Sequence, residues 1–339
     1  MYLHSHRING LILPFSLIVL FLTFFLSCDT GTSVDDIGEE YPHFVYEGDQ
    51  QPLSGRIVMS KQMENGRHQL FVMNADGSNI RQITFSGEHN FYMPRWSPDG
   101  SEIVFVSDTL LRTDGLRIGL MNGDGSNIRL LYVNGDPDLP VLGSNPAFSP
   151  DGKKIVFDHC PGCEAGLMNS YIYVFDLETK QRSRLTDGES WDAGPSWSPE
   201  AEEIVFSSNR DHLGKSQAGD IYRIGIEGSN IVRLTKDGIG KGGSRFSPDG
   251  RYVVYISDWD IYILEIESEK IYKLFIEFGE VINGPFAWSS DGSRLLFHSR
   301  KGDIPAGSNR YLNMIDLPTM SVTRVADDSF IFWSDWLWE

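Results

Sequence analysis

The sequence predicts an all-β fold, a six-bladed β-propeller with four-stranded blades, on three observations. An aromatic-led Ser-Pro-Asp-Gly turn recurs through the chain, a β-branched stretch follows each copy, and the C-terminal residues supply the strand that the N-terminal unit lacks. The turn first appears as Trp96-Ser97-Pro98-Asp99-Gly100. It returns as Phe148-Ser-Pro-Asp-Gly152, Trp197-Ser-Pro-Glu-Ala201, Phe246-Ser-Pro-Asp-Gly250 and Trp288-Ser-Ser-Asp-Gly292, with Trp333-Ser334-Asp335 read as a truncated sixth copy. The intervals of 52, 49, 49, 42 and 45 residues suit propeller blades and exclude leucine-rich or short helical arrays.

Each unit has the same internal order. After the turn comes a strand: Ile103-Val-Phe-Val-Ser107, Ile155-Val-Phe157, Ile204-Val-Phe-Ser-Ser208, Val253-Val-Tyr-Ile-Ser257 or Leu295-Leu-Phe-His-Ser299. A loop and a third strand follow, as in Tyr171-Ile-Tyr-Val-Phe-Asp176, and a fourth ends in Leu185-Thr186 or Leu234-Thr235. Pro and Gly stay in the turns, as strands require. The first unit offers Ile57-Val-Met-Ser60, Leu70-Phe-Val-Met73 and Gln82-Ile-Thr84 but no aromatic-led first strand. Phe330-Ile-Phe-Trp333-Ser-Asp-Trp336 is a first strand with nothing after it, so pairing the two ends closes the ring and removes two open sheet edges.

Composition narrows the function. The chain has 339 residues, 40% of them hydrophobic, with 34 Gly, 16 Pro and a formal charge of −18. That is enough apolar content for a sizeable core. With 29 Lys+Arg against 47 Asp+Glu, it cannot present a broad phosphate-neutralising surface, so nucleic acid is excluded as a partner. Residues 1–27 read as a secretory signal: His4, His6 and Arg7 precede an apolar run from Leu11 to Leu26 that closes on Ser27. Phe25-Leu26-Ser27-Cys28 resembles a bacterial lipobox, with Phe25 in place of the usual Leu, and this resemblance makes Cys28 the lipidated residue. Residues 28–52 form an acidic tether (Asp35, Asp36, Glu39, Glu40, Glu47, Asp49), and 53–339 the propeller. The expected location is the bacterial cell envelope, periplasmic or outer-membrane, with contact to the membrane through the lipid.

The repeated series of Trp-Ser-Pro-Asp-Gly, strand, Ile-Tyr-Val, Asp-Gly-Ser-Asn and Leu-Thr resembles the TolB-type, WD40-like propeller family over residues 53–339. The α/β domain that precedes the propeller in TolB is expected to be missing, since the stretch before residue 53 reads as a signal and a tether. The resemblance implies the fold and leaves the activity open, because one such domain serves translocation machinery, peptidases and pectin-fragment lyases.

Candidate chemistry is sparse. Asp76-Gly77-Ser-Asn79 and Asp124-Gly125-Ser-Asn127 look faintly like calcium loops but lack the closing Glu, and they fall where a hairpin must turn. Cys160-Pro161-Gly162-Cys163 is expected to form a disulfide in an oxidising compartment. Its rivals are a metal site with His159 and Glu164 or a redox pair. No Gly-x-Ser-x-Gly elbow, phosphate loop or His-Glu-x-x-His is present. In a propeller, the loops after the second strand share one face with the crossings between blades. Trp191, Asp192, Arg210, Asp211, Lys241, Asp258, Trp259, Arg300 and Lys301 fall there as a candidate binding surface. His68, His89, His159, His212 and His298 map to the same face or its edge.

The expectation is therefore a non-enzymatic, cofactor-free binding scaffold for an envelope protein or a glycan. The alternative is an enzyme resembling the family's oligogalacturonide lyases, with His68, His89, His212 and His298 as ligands of Mn, Fe or Zn.

Overall fold

The computed structural model describes residues 54–108, 115–163, 169–213, 219–274, 280–301, 310–327 and 331–337, without the side chains of 280, 281, 283–285, 301, 327 and 332. The signal segment, Cys28 and the tether lie outside the described residues. Among the described residues no helix is long and apolar enough to cross a membrane.

Short runs of consecutive buried residues, as in His68–Asn74 and Glu102–Asp108, build six antiparallel four-stranded sheets. The first blade contains β1 (Arg56–Gln62), β2 (His68–Asn74) and β3 (Arg81–Gln82). The second runs through β4 (Asn90–Trp96), β5 (Glu102–Asp108), β6 (Arg117–Asn122) and β7 (Arg129–Leu130). The third has β8 (Ser144–Phe148), β9 (Lys154–His159), β10 (Tyr171–Asp176) and β11 (Arg182–Arg184). The fourth has β12 (Asp192–Trp197), β13 (Glu203–Ser208), β14 (Asp220–Gly225) and β15 (Val232–Arg233). The fifth has β16 (Lys241–Phe246), β17 (Tyr252–Ser257), β18 (Asp260–Glu265) and β19 (Ile271–Leu274). The sixth has β20 (Glu280–Trp288), β21 (Arg294–Lys301), β22 (Arg310–Asp316) and β23 (Ser321–Asp327). The last strand, β24 (Ile331–Leu337), returns to the first blade and pairs antiparallel with β1, so that sheet runs β24-β1-β2-β3. The predicted fold and its closure are both present.

The pairing corrects one detail of the repeat. Trp96, Phe148, Trp197, Phe246 and Trp288 pair with Ile103, Ile155, Ile204, Val253 and Leu295. In the closing blade the residue in that position is Trp336, opposite Ile57, and not Trp333, opposite Ser60. The Trp-Ser-Asp of residues 333–335 copies the motif in letters, but strand register places the aromatic three residues later.

The six inner strands, β24, β4, β8, β12, β16 and β20, touch in succession around the ring, and the core is divided among six clusters, one for each pair of neighbouring blades. Val58, Leu70 and Val72 of the first blade, for example, pack on Phe91, Trp96, Ile103 and Phe105 of the second. Burying each such side chain contributes about 1.5–3 kcal/mol. The turns bind the blades as well. At Gly125 an added Cβ would lie 2.1 Å from the Ile83 carbonyl oxygen, and at Gly77 one would lie 2.4 Å from that of Val325. The Asp-Gly-Ser-Asn hairpins are therefore seats against the preceding blade, with Asp76 and Asp124 accepting from Ser78 and Ser126 in the manner of simple turns.

The Ser-Pro-Asp-Gly turn has a repeated chemistry. Ser97 accepts the Glu102 N–H at 2.9 Å and donates to Asp99 at 2.7 Å, while Gly100 takes φ +67°. Gly152, Gly250 and Gly292 take φ of 70–72° at the same place, but the fourth blade puts Ala201 there at φ +61°. A left-handed Ala is strained by about 1 kcal/mol relative to Gly. Ala201→Gly is accordingly expected to raise the unfolding free energy by about 1 kcal/mol, measured by urea denaturation; an unchanged or lower midpoint would contradict the assignment of strain.

Candidate functional site

The face that carries the second-to-third-strand loops gathers three polar clusters. The largest is centred on Asp220, at the start of β14, whose side chain is fully buried. His212 Nε2 lies 2.8 Å from its Oδ2, Arg233 donates to the same oxygen at 2.6 Å, and Thr235 donates to Oδ1 at 2.8 Å. Lys241, also fully buried, reaches Oδ1 at 3.5 Å, donates to the Ile239 carbonyl at 2.9 Å and ion-pairs with Asp237. Asp211 accepts from the Tyr222 hydroxyl at 2.7 Å and pairs with Arg233 at 3.2 Å. Burial would raise the Asp220 carboxyl, but the hydrogen bonds from His212, Thr235 and Arg233 and the charge of Lys241 outweigh it and hold it below the usual range.

Asp192 forms the second cluster. Its buried carboxylate takes two bonds of 3.0 Å from Arg210 and one each from Ser190 and Ser208, while the Arg210 guanidinium lies over Phe206 and Tyr222 at 5.2 Å. Beside this cluster the Trp191 N–H donates to Asn209 Oδ1 at 2.7 Å. At the fifth and sixth blades Asp258 and Trp259 take φ of +48° and +67° in a two-residue hairpin, and Arg300 lies over the Trp259 ring at 5.5 Å. Lys301 ends β21, and its side chain is outside the described residues.

The histidines are dispersed. His68 at the start of β2 packs against Tyr92 at 4.8 Å and Trp333 at 6.3 Å. His298, on β21, has Nε2 2.9 Å from the Ser334 hydroxyl. Burial and the Arg310 charge lower His68 to about 4, with Asp108 opposing, and burial, Arg310 and Arg95 lower His298 to about 3. His89 stands in the crossing before β4, His212 belongs to the Asp220 cluster, and His159 ends β9 with its imidazole lowered to about 4 by burial and Arg182. Among the described residues no group of three or more His, Cys, Asp or Glu side chains is placed to hold a metal ion. The expected set of His68, His89, His212 and His298 therefore does not converge, and the described residues do not assemble a metal centre. Cys160 and Cys163 are joined by a disulfide, with Cα atoms 5.5 Å apart.

The repeat also carried groups that a search for histidines passed over. Five inner strands have a bulge two to four residues before the aromatic, and its residue is left-handed at Met93, Asn145, Gly194 and Gly243. Asp158 of β9 ties two of these bulges together, accepting from Asn145 Nδ2 at 2.8 Å and from the Gly194 N–H of the next blade at 2.9 Å. Immediately before the aromatic stand Arg95, Arg245 and Asp335, where the other blades have Ala147, Ser196 and Ala287. Arg95 donates to Asp335 at 2.8 Å across the closing seam, and Asp335 also accepts the Trp96 N–H at 2.9 Å.

Burial pushes the Asp158 carboxyl up to about 7 from 3.8, against the bonds from Gly194 and Asn145. Between these two values the folded chain keeps a proton that the unfolded chain has released. The contribution of Asp158 is therefore full below the lower value and falls by about 1.4 kcal/mol per pH unit until the higher is passed. An Asn at this position keeps the accepting oxygen and does not titrate. The stability of the wild type relative to Asp158→Asn is expected to fall between about pH 4 and 7, read by denaturant unfolding; a pH-independent difference would contradict the raised value.

Comparison with known proteins agrees with this architecture. Residues 135–260 match the family model described as TolB beta propeller domain. Among solved structures, TolB from Acinetobacter baumannii superposes with a TM-score of 0.66 at 20% identity, over 84% of this chain and 67% of that one. An oligogalacturonate lyase in complex with manganese gives 0.55 at 16% identity, over 80% and 74%. A chain of a nidogen/laminin complex gives 0.60 at 12% identity, over 84% and 98%. These likenesses are to the fold. With six four-stranded blades and a ring closed by its own C-terminal strand, the chain is a six-bladed β-propeller, and its residues 135–260 are similar to the TolB propeller domain.

Proposed function

We propose that this propeller is a lipid-anchored, non-enzymatic binding scaffold of the cell envelope, held to the membrane through Cys28 and engaging a protein or glycan partner through its loop face. The observation that carries the reading is the ordering of that face. Asp220 and Asp192 hold His212, Arg233, Lys241 and Arg210 in internal ion pairs, so the segments around the channel mouth are fixed before any partner arrives. A preordered surface loses little conformational entropy on binding. The exposed Asp258 and the Trp259–Arg300 stack then stand on a rigid rim as contact groups. A fold relative solved in a nidogen/laminin complex supports the use of such rings in protein recognition.

The rival reading, a metal-dependent carbohydrate-active enzyme using Mn, Fe or Zn, draws support from the lyase likeness alone. Among the described residues the dispersed histidines supply no ligand set for it.

Two measurements test the proposal in the full chain. Cys28→Ser is expected to move the protein from the membrane to the soluble fraction; retention in the membrane would refute the anchor. A detergent pull-down with the Trp259→Ala/Arg300→Ala double variant is expected to lose the proteins or glycans that the wild type captures, whereas undiminished capture would refute the loop face as the binding surface.

A further inference from the structure

Among the described residues, the inner strands carry one arginine, Arg245, without a carboxylate in ion-pair contact. Arg245 stands on β16 at the same register as Arg95 and Asp335 on their own inner strands, so the three belong to one level of the ring. Arg95 has its carboxylate, Asp335, at 2.8 Å. Arg245 has none: among the described residues no carboxylate oxygen lies within 4.0 Å of it. Its Nη1 donates only to two carbonyl oxygens, that of Ser244 at 2.8 Å and, at the 3.5 Å limit, that of Pro195 in the neighbouring blade. The residue as a whole is only partly buried. Burial and the nearby Arg95 charge both disfavour its ionised form, and Asp335 offsets them in part. A guanidinium in such a place is stabilised by an anion, which the described residues do not provide.

The surroundings give a direction of approach. Asp335 is part of the wall of a 250 Å³ cavity on the Ser-Pro-Asp-Gly face, with Trp96, Phe148, Trp288 and Trp336, so an anion entering from that side meets a carboxylate and apolar rings. On the loop-face side stand Arg310, which begins β22, and two imidazoles held neutral, His68 and His298, all three largely buried. In a chain of formal charge −18, Arg310, Arg95 and Arg245 are a local concentration of positive charge.

We propose that the channel is a carboxylate seat, in which a carboxylate-bearing ligand enters from the loop face and is held by the Arg245 guanidinium with Arg95 beside it. The inference rests on the loop-face reading above and names the chemistry its partner brings. A planar carboxylate matches the two-pronged donor geometry of a guanidinium. Asp335, already at this level, disfavours a doubly charged phosphate.

Titration of the whole chain with D-glucuronate and with acetate, at constant ionic strength in chloride, tests the seat. Saturable binding of one carboxylate per chain is expected, weakened at least tenfold by Arg245→Gln and unchanged by Arg251→Gln, whose side chain pairs with Asp249 on the opposite face. Arg245→Lys keeps the charge but loses the planar fork, and it is expected to bind at least threefold more weakly; this variant gives the answer if the Gln variant does not fold. Absence of saturable binding by the wild type, wild-type affinity in Arg245→Lys, or tighter binding of inorganic phosphate than of glucuronate would each overturn the assignment. The rim variants at Trp259 and Arg300 do not touch Arg245, so failure of the pull-down and failure of this titration are separate results.

Discussion

The antiparallel pairing of β24 with β1 is the constraint on which the rest of the structure depends. It joins residues nearly 280 positions apart, Ile57 to Trp336 and Val58 to Asp335, and turns an open array of blades into a ring. An open array would expose a long inner edge at each end, with unpaired N–H and C=O groups. Closure pairs those groups and adds the sixth inter-blade cluster. It also brings Asp335 against Arg95 and the Trp96 N–H, so the seam is fixed by charge as well as by main-chain bonds. The channel has a defined lining only because the seam holds.

Polar chemistry is distributed in two ways around this ring. On the loop face, carboxylates are surrounded: Asp220 and Asp192 are fully buried, and each is matched by cations and hydroxyls from neighbouring strands and loops. Their charge goes into ordering the surface, and their burial keeps them from direct contact with a partner. In the channel the balance reverses. There Arg245 has carbonyl partners only, and the imidazoles of His68 and His298 are kept neutral by burial and neighbouring arginines. The rim is thus ordered by buried ion pairs, while the inner strands carry Arg95 and Arg245 at one level of the ring.

The blade count, the strand order and the one-plus-three closure were legible in the sequence because each rests on local, repeated signals: turn chemistry, β-branched runs and an aromatic at fixed spacing. The register of the last blade was not, because Trp333-Ser334-Asp335 imitates the motif while cross-strand pairing, a long-range property, selects Trp336. Sequence reading placed Arg210, Asp211, His212 and Lys241 on one face. It could not see that Asp220 and Arg233 stand at the centre of that cluster, since their meeting depends on how β14, β15 and the loop after β13 fold together. The channel arginines were overlooked for another reason. They occupy the position before each aromatic, where Arg95, Arg245 and Asp335 interrupt a series of small residues, a signal that no histidine or motif spacing marks. Aligning the six units by strand register makes that signal visible.

The central claim, that the C-terminal strand closes and thereby stabilises the ring, is most directly tested by deleting residues 328–339 and adding them back as a peptide. Loss of the cooperative thermal transition in the shortened chain, and its recovery on addition of the peptide, is the predicted result. A shortened chain that unfolds with the same midpoint and cooperativity as the intact protein would contradict it.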